Sequence, residues 1–235
     1  MSADLSARLD LRRRARRRTR LRRILLGTLG AAVAGVLVWL VLFSSVLETR
    51  QVSVEGTGIL TAEQVTQTAQ VPIGTPMARL PGGAIRQRVL ALPAVAEVRL
   101  HREWPNELVI RVTERTMVYQ RADEAGYQWV DAEGRIFHAE AERRPGVVAI
   151  VSGNDQRMLA DVATVVQAMP SQVAEATEHV EATSIDNIVV LLADGRSIVW
   201  GNAEKSAQKA EVLPALLDMP GTVFDVSVPS HPAVS

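Results

Sequence analysis

The feature that most constrains this chain is a run of 24 residues without a charge, ILLGTLGAAVAGVLVWLVLFSSVL, from Ile24 to Leu47. A helix of that length rises roughly 36 Å, enough to cross a hydrocarbon core of about 30 Å. Fourteen of the 24 are Leu, Ile, Val or Phe, each favouring insertion by about 0.3–0.6 kcal/mol near the bilayer centre. Their sum is roughly 6 kcal/mol, an upper bound because terminal positions contribute less. A buried helix of a soluble protein would need apolar neighbours on every side, and would leave the preceding arginines unexplained.

Those arginines are Arg12, Arg13, Arg14, Arg16, Arg17, Arg18, Arg20, Arg22 and Arg23, nine of the twelve residues before the apolar run. The other flank, Glu48-Thr49-Arg50, is balanced. The positive-inside rule therefore predicts a cytoplasmic N-terminus and an external body, a single-pass type II arrangement. A cleaved signal peptide also begins basic, but its apolar core is usually about 7–15 residues and ends in an A-x-A-like site; Ser45-Val46-Leu47 offers none. The arginine tail is expected to be drawn to anionic lipid headgroups. It holds no aromatic residue for base stacking, so nucleic acid is not an expected partner.

The formal net charge of zero, 26 basic against 26 acidic residues, hides this partition. Residues 1–23 carry +8, residues 24–47 carry none and residues 48–235 carry −8. Cysteine is absent, which excludes disulfides, thiolate metal sites and a cysteine nucleophile.

The first part of the body predicts a strand, two helices and two strands. Gln51 to Glu55 alternates polar and apolar residues and stops at Gly56, the pattern of a half-buried strand. Thr61 is placed to cap a helix, with Gln64 in the capping-box position and Val65 and Ala69 on one face. Ile85, Val89 and Leu92 recur at helical spacing until Pro93. Alternation at Val98–Leu100 and at Leu108–Val112 marks two strands around the turn Glu103-Trp104-Pro105-Asn106. The order is that of an α+β domain, a small sheet with helices on one face.

Within this stretch VSVEG, LTAEQV and LPAVAEVRLHREWPNELVIRVTER resemble the POTRA domain of the FtsQ/DivIB cell-division family. The most specific part includes Arg102, Trp104, Pro105, Asn106, Leu108, Ile110, Val112, Glu114 and Arg115. Arg102, Trp104, Pro105, Asn106 and Glu114 are expected to be mainly structural. Pro105 fixes φ at the turn, and Trp104 can cover a hydrophobic edge. The functional reading is that an exposed part of this domain docks another envelope protein.

Beyond Arg115 two hairpins are predicted, Tyr127–Val130 with Arg135–Phe137 and Ile188–Leu192 with Ser197–Trp200, the latter turning at Asp194-Gly195. Between them Asp155 begins a helix with Met158, Val162, Val165, Val166 and Met169 on its apolar face, ended by Pro170. Asn202 can cap a later helix through Leu213 to Leu217, kinked or restarted near Pro214. A last strand is expected at Thr222, Val223, Phe224, Asp225, Val226, Ser227 and Val228, stopped by Pro229. The runs WVDAEGRIF, LADGRSIVWG and FDVSVP resemble the β domain of the same family, a mixed β-sheet with helices.

The expected organisation is a basic cytoplasmic tail at 1–23, a transmembrane helix at 24–47, a POTRA domain at 48–116, an FtsQ-type β domain at 117–230 and a C-terminal tail at 231–235. His101, His138, His179 and His231 have no metal-ligand spacing, and no G-x-S-x-G, G-x-G-x-x-G or P-loop run occurs. No catalytic residue, cofactor, metal or small-molecule substrate is therefore expected. The resemblance implies a scaffold of the division machinery at the septum, with partners of the FtsB and FtsL type. It also implies strand addition by an FtsB-type partner beside the last strand, where a free edge offers unpaired N–H and C=O groups. That edge is expected at Thr222–Val228, with an interior strand paired on both sides as the alternative. Another POTRA-bearing envelope assembly or secretion factor, or an extracytoplasmic hydrolase, are the other readings.

Overall fold

The computed structural model describes Arg23 and residues 25–235. Arg12 to Arg22 of the basic tail lie outside the described residues. Helix α1, Leu25–Phe43, has 19 residues and a mean hydropathy of 2.3, and none of it is buried against protein. It rises about 28 Å, enough to cross a hydrocarbon core with little tilt. It ends four residues before the charge-free run does. Ser44 stops it, its Oγ accepting from Val46 N and capping a 3-10 turn at Ser45–Leu47.

Contacts divide the chain into two compact units. One holds the described residues up to Glu55 with Ala62–Gln87 and Arg99–Arg111; the other holds Gly56–Thr61, Arg88–Val98 and Val112–Ser235. The elements after α1 follow the expected order: β1 (Gln51–Glu55), α2 (Ala62–Ala69), α3 (Gly82–Leu90), β2 (Val95–Glu103) and β3 (Glu107–Glu114). They build a three-stranded sheet in the order β1-β3-β2, with β1 parallel to β3 from Gln51↔Glu107 to Glu55↔Arg111. Val65 and Ala69 of α2 are buried, as are Ile85 and Val89 of α3, as the spacing predicts. Leu92 lies beyond the helix it was assigned to, because α3 stops at Leu90.

The remaining strands form one nine-stranded sheet, ordered β12-β11-β10-β9-β8-β7-β4-β5-β6. They are β4 (Tyr119–Asp123), β5 (Gly126–Val130), β6 (Ile136–Glu140), β7 (Val148–Val151), β8 (Thr177–Ser184), β9 (Asn187–Leu192), β10 (Ser197–Gly201), β11 (Val223–Asp225) and β12 (Ala233–Val234). Both predicted hairpins are present as β5–β6 and β9–β10. Strand β7 joins the parts, running parallel to β4 on one side and to β8 on the other.

Helices α4 (Gln156–Ala168), α5 (Ser171–Ala176) and α6 (Ser206–Leu217) accompany this sheet. The core includes Tyr119, Val162, Val180, Val190, Trp200 and Leu213. Asp155 caps α4 as expected, Oδ1 accepting from Arg157 N at 3.0 Å. Helix α6 continues through Pro214 without a restart. Its N-cap differs from expectation: it is Lys205, in the left-handed region at φ 55°, not Asn202.

Asn202 is spent elsewhere. Lys209 of α6 is buried, and its ammonium donates to Trp200 O at 2.9 Å, Asn202 O at 2.8 Å and Asn202 Oδ1 at 3.2 Å. Desolvation holds its pKa below the ordinary lysine value. The amine thus ties α6 to the end of β10. Trp200 is anchored on its other side by Nε1 donating to Ser206 Oγ at 3.0 Å. Lys209→Met keeps the aliphatic stem but orphans these buried carbonyls, and denaturant unfolding followed by tryptophan fluorescence should show a loss of about 2 kcal/mol.

Candidate functional site

The end of the large sheet at β11 is where the sequence places partner binding. Strand β11 runs parallel to β10, with Ser197↔Val223, Ile198↔Phe224 and Val199↔Asp225 in register. Ser197 N donates to Thr222 O at 2.9 Å and Val226 N to Val199 O at 3.0 Å. A parallel pair needs a crossover connection, and α6 supplies it. Phe224 and Val226 are fully buried. The Arg196 guanidinium stands 5.6 Å over the Phe224 ring and donates Nη1 to Leu217 O at 3.2 Å.

Thr222–Val228 is not a free edge. The ladder covers only Val223–Asp225, because Asp225 Oδ1 accepts from Ser227 N at 2.9 Å and bends the chain before Pro229. Its outer side is paired by β12, antiparallel, with Phe224↔Val234 and Asp225↔Ala233. Thr222 N and Val223 N donate to Ser235 O at 2.8 and 2.9 Å, and Ser235 N returns a bond to Val223 O at 3.0 Å. The interior alternative describes β11, and residues expected to trail off as a tail carry the outermost strand. Two strand residues are too few for a period-2 signal. The only hint was the absence of a side chain at Gly221, where a Cβ would sit 2.3 Å from Val234 Cγ1.

The opposite end of the sheet is β6, whose rim is charged. Glu140 Oε2 accepts from Arg144 Nε at 2.7 Å, and His138 Nε2 lies 3.5 Å from Glu140 Oε1. Charged side chains on an edge discourage a further strand. At the β11 end the described ion pair is Arg196 Nε with Asp194 Oδ2 at 2.7 Å, on the guanidinium that covers Phe224, and no described ion pair involves Ala233–Val234.

The POTRA-like motif residues have structural duties with one exception. Arg102 Nε donates to Met77 O at 2.9 Å. Asn106 O accepts from both Arg50 N and Gln51 N, at 2.9 and 3.2 Å, where β1 meets β3. The Trp104–Pro105 peptide is cis. Trp104 is the exception: it is 53% exposed. Glu114 clamps a loop, Oε2 accepting from Ile59 N at 2.7 Å and Oε1 from Leu60 N at 2.9 Å.

Carboxylates in a cleft are the remaining route to chemistry. A cleft of about 340 Å³ is lined in part by Glu114, Arg115, Asp131 and Glu133. All three of its carboxylates are engaged: Glu114 as above, Asp131 by Arg115 Nη1 at 2.5 Å and by Glu133 N and Arg135 N at 3.0 and 2.7 Å, and Glu133 by Arg115 Nη1 at 3.7 Å. A carboxylate held by several fixed donors is a poor proton carrier. Among the described residues no group of three His, Asp or Glu could hold a metal ion. The arginines of the basic tail other than Arg23 contribute nothing to this description, since they lie outside the described residues.

Burial pushes the Glu114 carboxyl up, but the N–H donors of Ile59, Leu60 and Gly58 outweigh it and leave the pKa below 4.5. A lowered folded pKa means that the stabilisation is complete above the unfolded value and is lost as pH falls through the folded one. Glu114→Gln should therefore cost about 1 kcal/mol at neutral pH. The gap between variant and parent should close in unfolding curves taken progressively below pH 4.5.

Comparison with known proteins identifies the family. The model of the POTRA domain, FtsQ-type, matches residues 47–115, and that of the cell division protein FtsQ/DivIB C-terminal region matches residues 118–227. The chain is 34% identical over 241 residues to the cell division protein FtsQ of Streptomyces bingchenggensis, covering 94% of this chain and 90% of that one. It is 34% identical to FtsQ of Mycobacteroides abscessus, covering 91% and 70% of the two chains. For FtsQ of Streptomyces coelicolor the identity is again 34%, over 90% and 87%. The extracytoplasmic domain of DivIB from Geobacillus stearothermophilus superposes at a TM-score of 0.36 with 16% identity, over 44% of this chain and 91% of that domain, too distant to add to the assignment. With both family regions matched in order and relatives aligned along most of their length, the chain belongs to the FtsQ/DivIB family of cell-division proteins.

Proposed function

We propose that this chain is a non-enzymatic bitopic scaffold of the division machinery, with its N-terminus in the cytoplasm and its body outside, enriched at the septum. In this reading 1–23 is the lipid-attracted tail, 24–47 the membrane span, 48–116 the POTRA domain and 117–230 the β domain. The body recruits and links division proteins of the FtsB and FtsL type. Family membership favours division over secretion or outer-membrane assembly, and the engaged carboxylates argue against hydrolysis.

The observation that carries the binding mode is the closure of the β11 end by a two-residue strand. A partner strand pairs with the outer side of β11 in place of Ala233–Val234, gaining the bonds that Ser235 now makes to Thr222 and Val223. Strand addition of this kind draws affinity from main-chain bonds and selectivity from side-chain pockets. The charged β6 rim explains why this end is preferred.

Val223→Pro removes an outward donor, since Val223 N points to Ser235 O while Val226 N points inward to Val199 O. It should weaken capture of an FtsB-type partner at least tenfold while circular dichroism shows a folded body, a change of about 1.4 kcal/mol. Undiminished capture sinks the strand-addition mode. Gly221→Ala pushes Val234 aside without touching the β11 ladder and should leave capture intact or strengthen it; a loss would place the partner outside β12. In dividing cells a fluorescent tag at the N-terminus should mark midcell, and a uniform peripheral signal would count against the scaffold.

A further inference from the structure

Two large apolar side chains stand out on the first compact unit. Trp104 is 53% exposed and Ile73 is 61% exposed. They lie on different loops, and both loops are clipped to the short segment that leaves the membrane helix. Gly74 N donates to Thr49 O and Thr49 N to Thr75 O, each at 2.9 Å, while Glu48 bridges to Pro76. On the other side Asn106 O holds Arg50 N and Gln51 N, fixing the Trp104 turn to the next residues of the same segment.

That segment is close to the end of α1. Five residues separate Phe43 from Thr49, a span of at most about 20 Å if extended, and the 3-10 turn at Ser45–Leu47 shortens it. The Arg79 guanidinium, just beyond the Ile73 loop, lies 5.4 Å over the ring of Phe43, the last residue of α1. Val46, in the turn itself, is exposed as well. With α1 in a bilayer, Phe43 marks the edge of the hydrocarbon, and the polar interface beyond it is about 5–8 Å deep on each side. Exposed apolar side chains thus occur on α1, in the turn that follows it and on both loops clipped to the next segment.

We infer that the Ile73 loop and the Trp104 turn dock on the interfacial zone of the phospholipid bilayer that α1 crosses, at the Phe43 end of the helix. Tryptophan suits that place, because its ring prefers the apolar side while its N–H stays with water and headgroups. Charge does not carry the contact. Arg50 and Arg102 stand beside Glu48 and Glu103 in sequence, and Arg79 is stacked on Phe43, so docking is apolar and should not need anionic lipid. Its consequence is a body held down on the membrane at two points besides α1, with its first sheet set at a fixed angle to the surface. The inference rests on α1 lying in a bilayer, and Trp39 within α1 reports that premise separately.

The test uses the full chain in phosphatidylcholine bilayers brominated either near the glycerol end or deep in the acyl chains. Trp39→Phe and Trp104→Phe variants, each subtracted from the parent, isolate these two emissions from those of Trp129 and Trp200. Deep bromine should quench Trp39, whereas shallow bromine should take most of the Trp104 emission, which should also resist aqueous iodide. Trp104 emission unquenched at both depths overturns the docking, and if it is also shielded from iodide a protein surface covers the patch instead. An unquenched Trp39 overturns the premise that α1 is inserted. Because the chain has no cysteine, Ile73→Cys gives a single nitroxide site that does not disturb the Trp104 turn. Its spin relaxation should be enhanced by oxygen and protected from a water-soluble nickel chelate, and the reverse pattern overturns the inference on its own.

Discussion

Each strand in the large sheet must find partners for its backbone on both sides or end in water, and this requirement orders the second unit. Four residues, Val148–Val151, satisfy it at the centre. By running parallel to both β4 and β8, β7 merges two antiparallel sets into one surface over a shared core. Without it the β4–β5–β6 and β8–β9–β10 sets would each expose an inner edge.

The same requirement shapes the ends of the sheet. At β6 the chain leaves charged groups on the rim. At the other end the α6 crossover delivers a short parallel strand, and Lys209 fixes that crossover by bonding the carbonyls at the end of β10. A buried ammonium is costly unless it is well bonded, and here three oxygens receive it. The segment 233–235 then pairs the outer side of β11 with a minimum of backbone. So short a closing strand commits only a few main-chain bonds at this end of the sheet.

Much of this order is legible in the residues. The apolar N-terminal helix, the β-α-α-β-β order, both hairpins, the α4 apolar face and its Asp155 cap all follow from strong periodicity or a cap of known chemistry. Strands β4, β7 and β8 and the short α5 were not expected. Tyr119–Asp123 is nearly all polar and Val148–Val151 is short, so neither shows alternation. Asn202 has the composition of a cap, but the Lys209 ammonium claims its side chain and Lys205 takes the cap position.

The residues alone thus determined that an uncharged helix precedes an α+β body with family-like motifs, because apolar length and period are local properties of the chain. Which strand closes the sheet, and whether Trp104 is covered or bare, were decided only by tertiary structure. Both depend on pairings between residues far apart in sequence. Asn106 holds the start of β1, while Ala233 and Val234 find β11, and no local pattern encodes such a meeting.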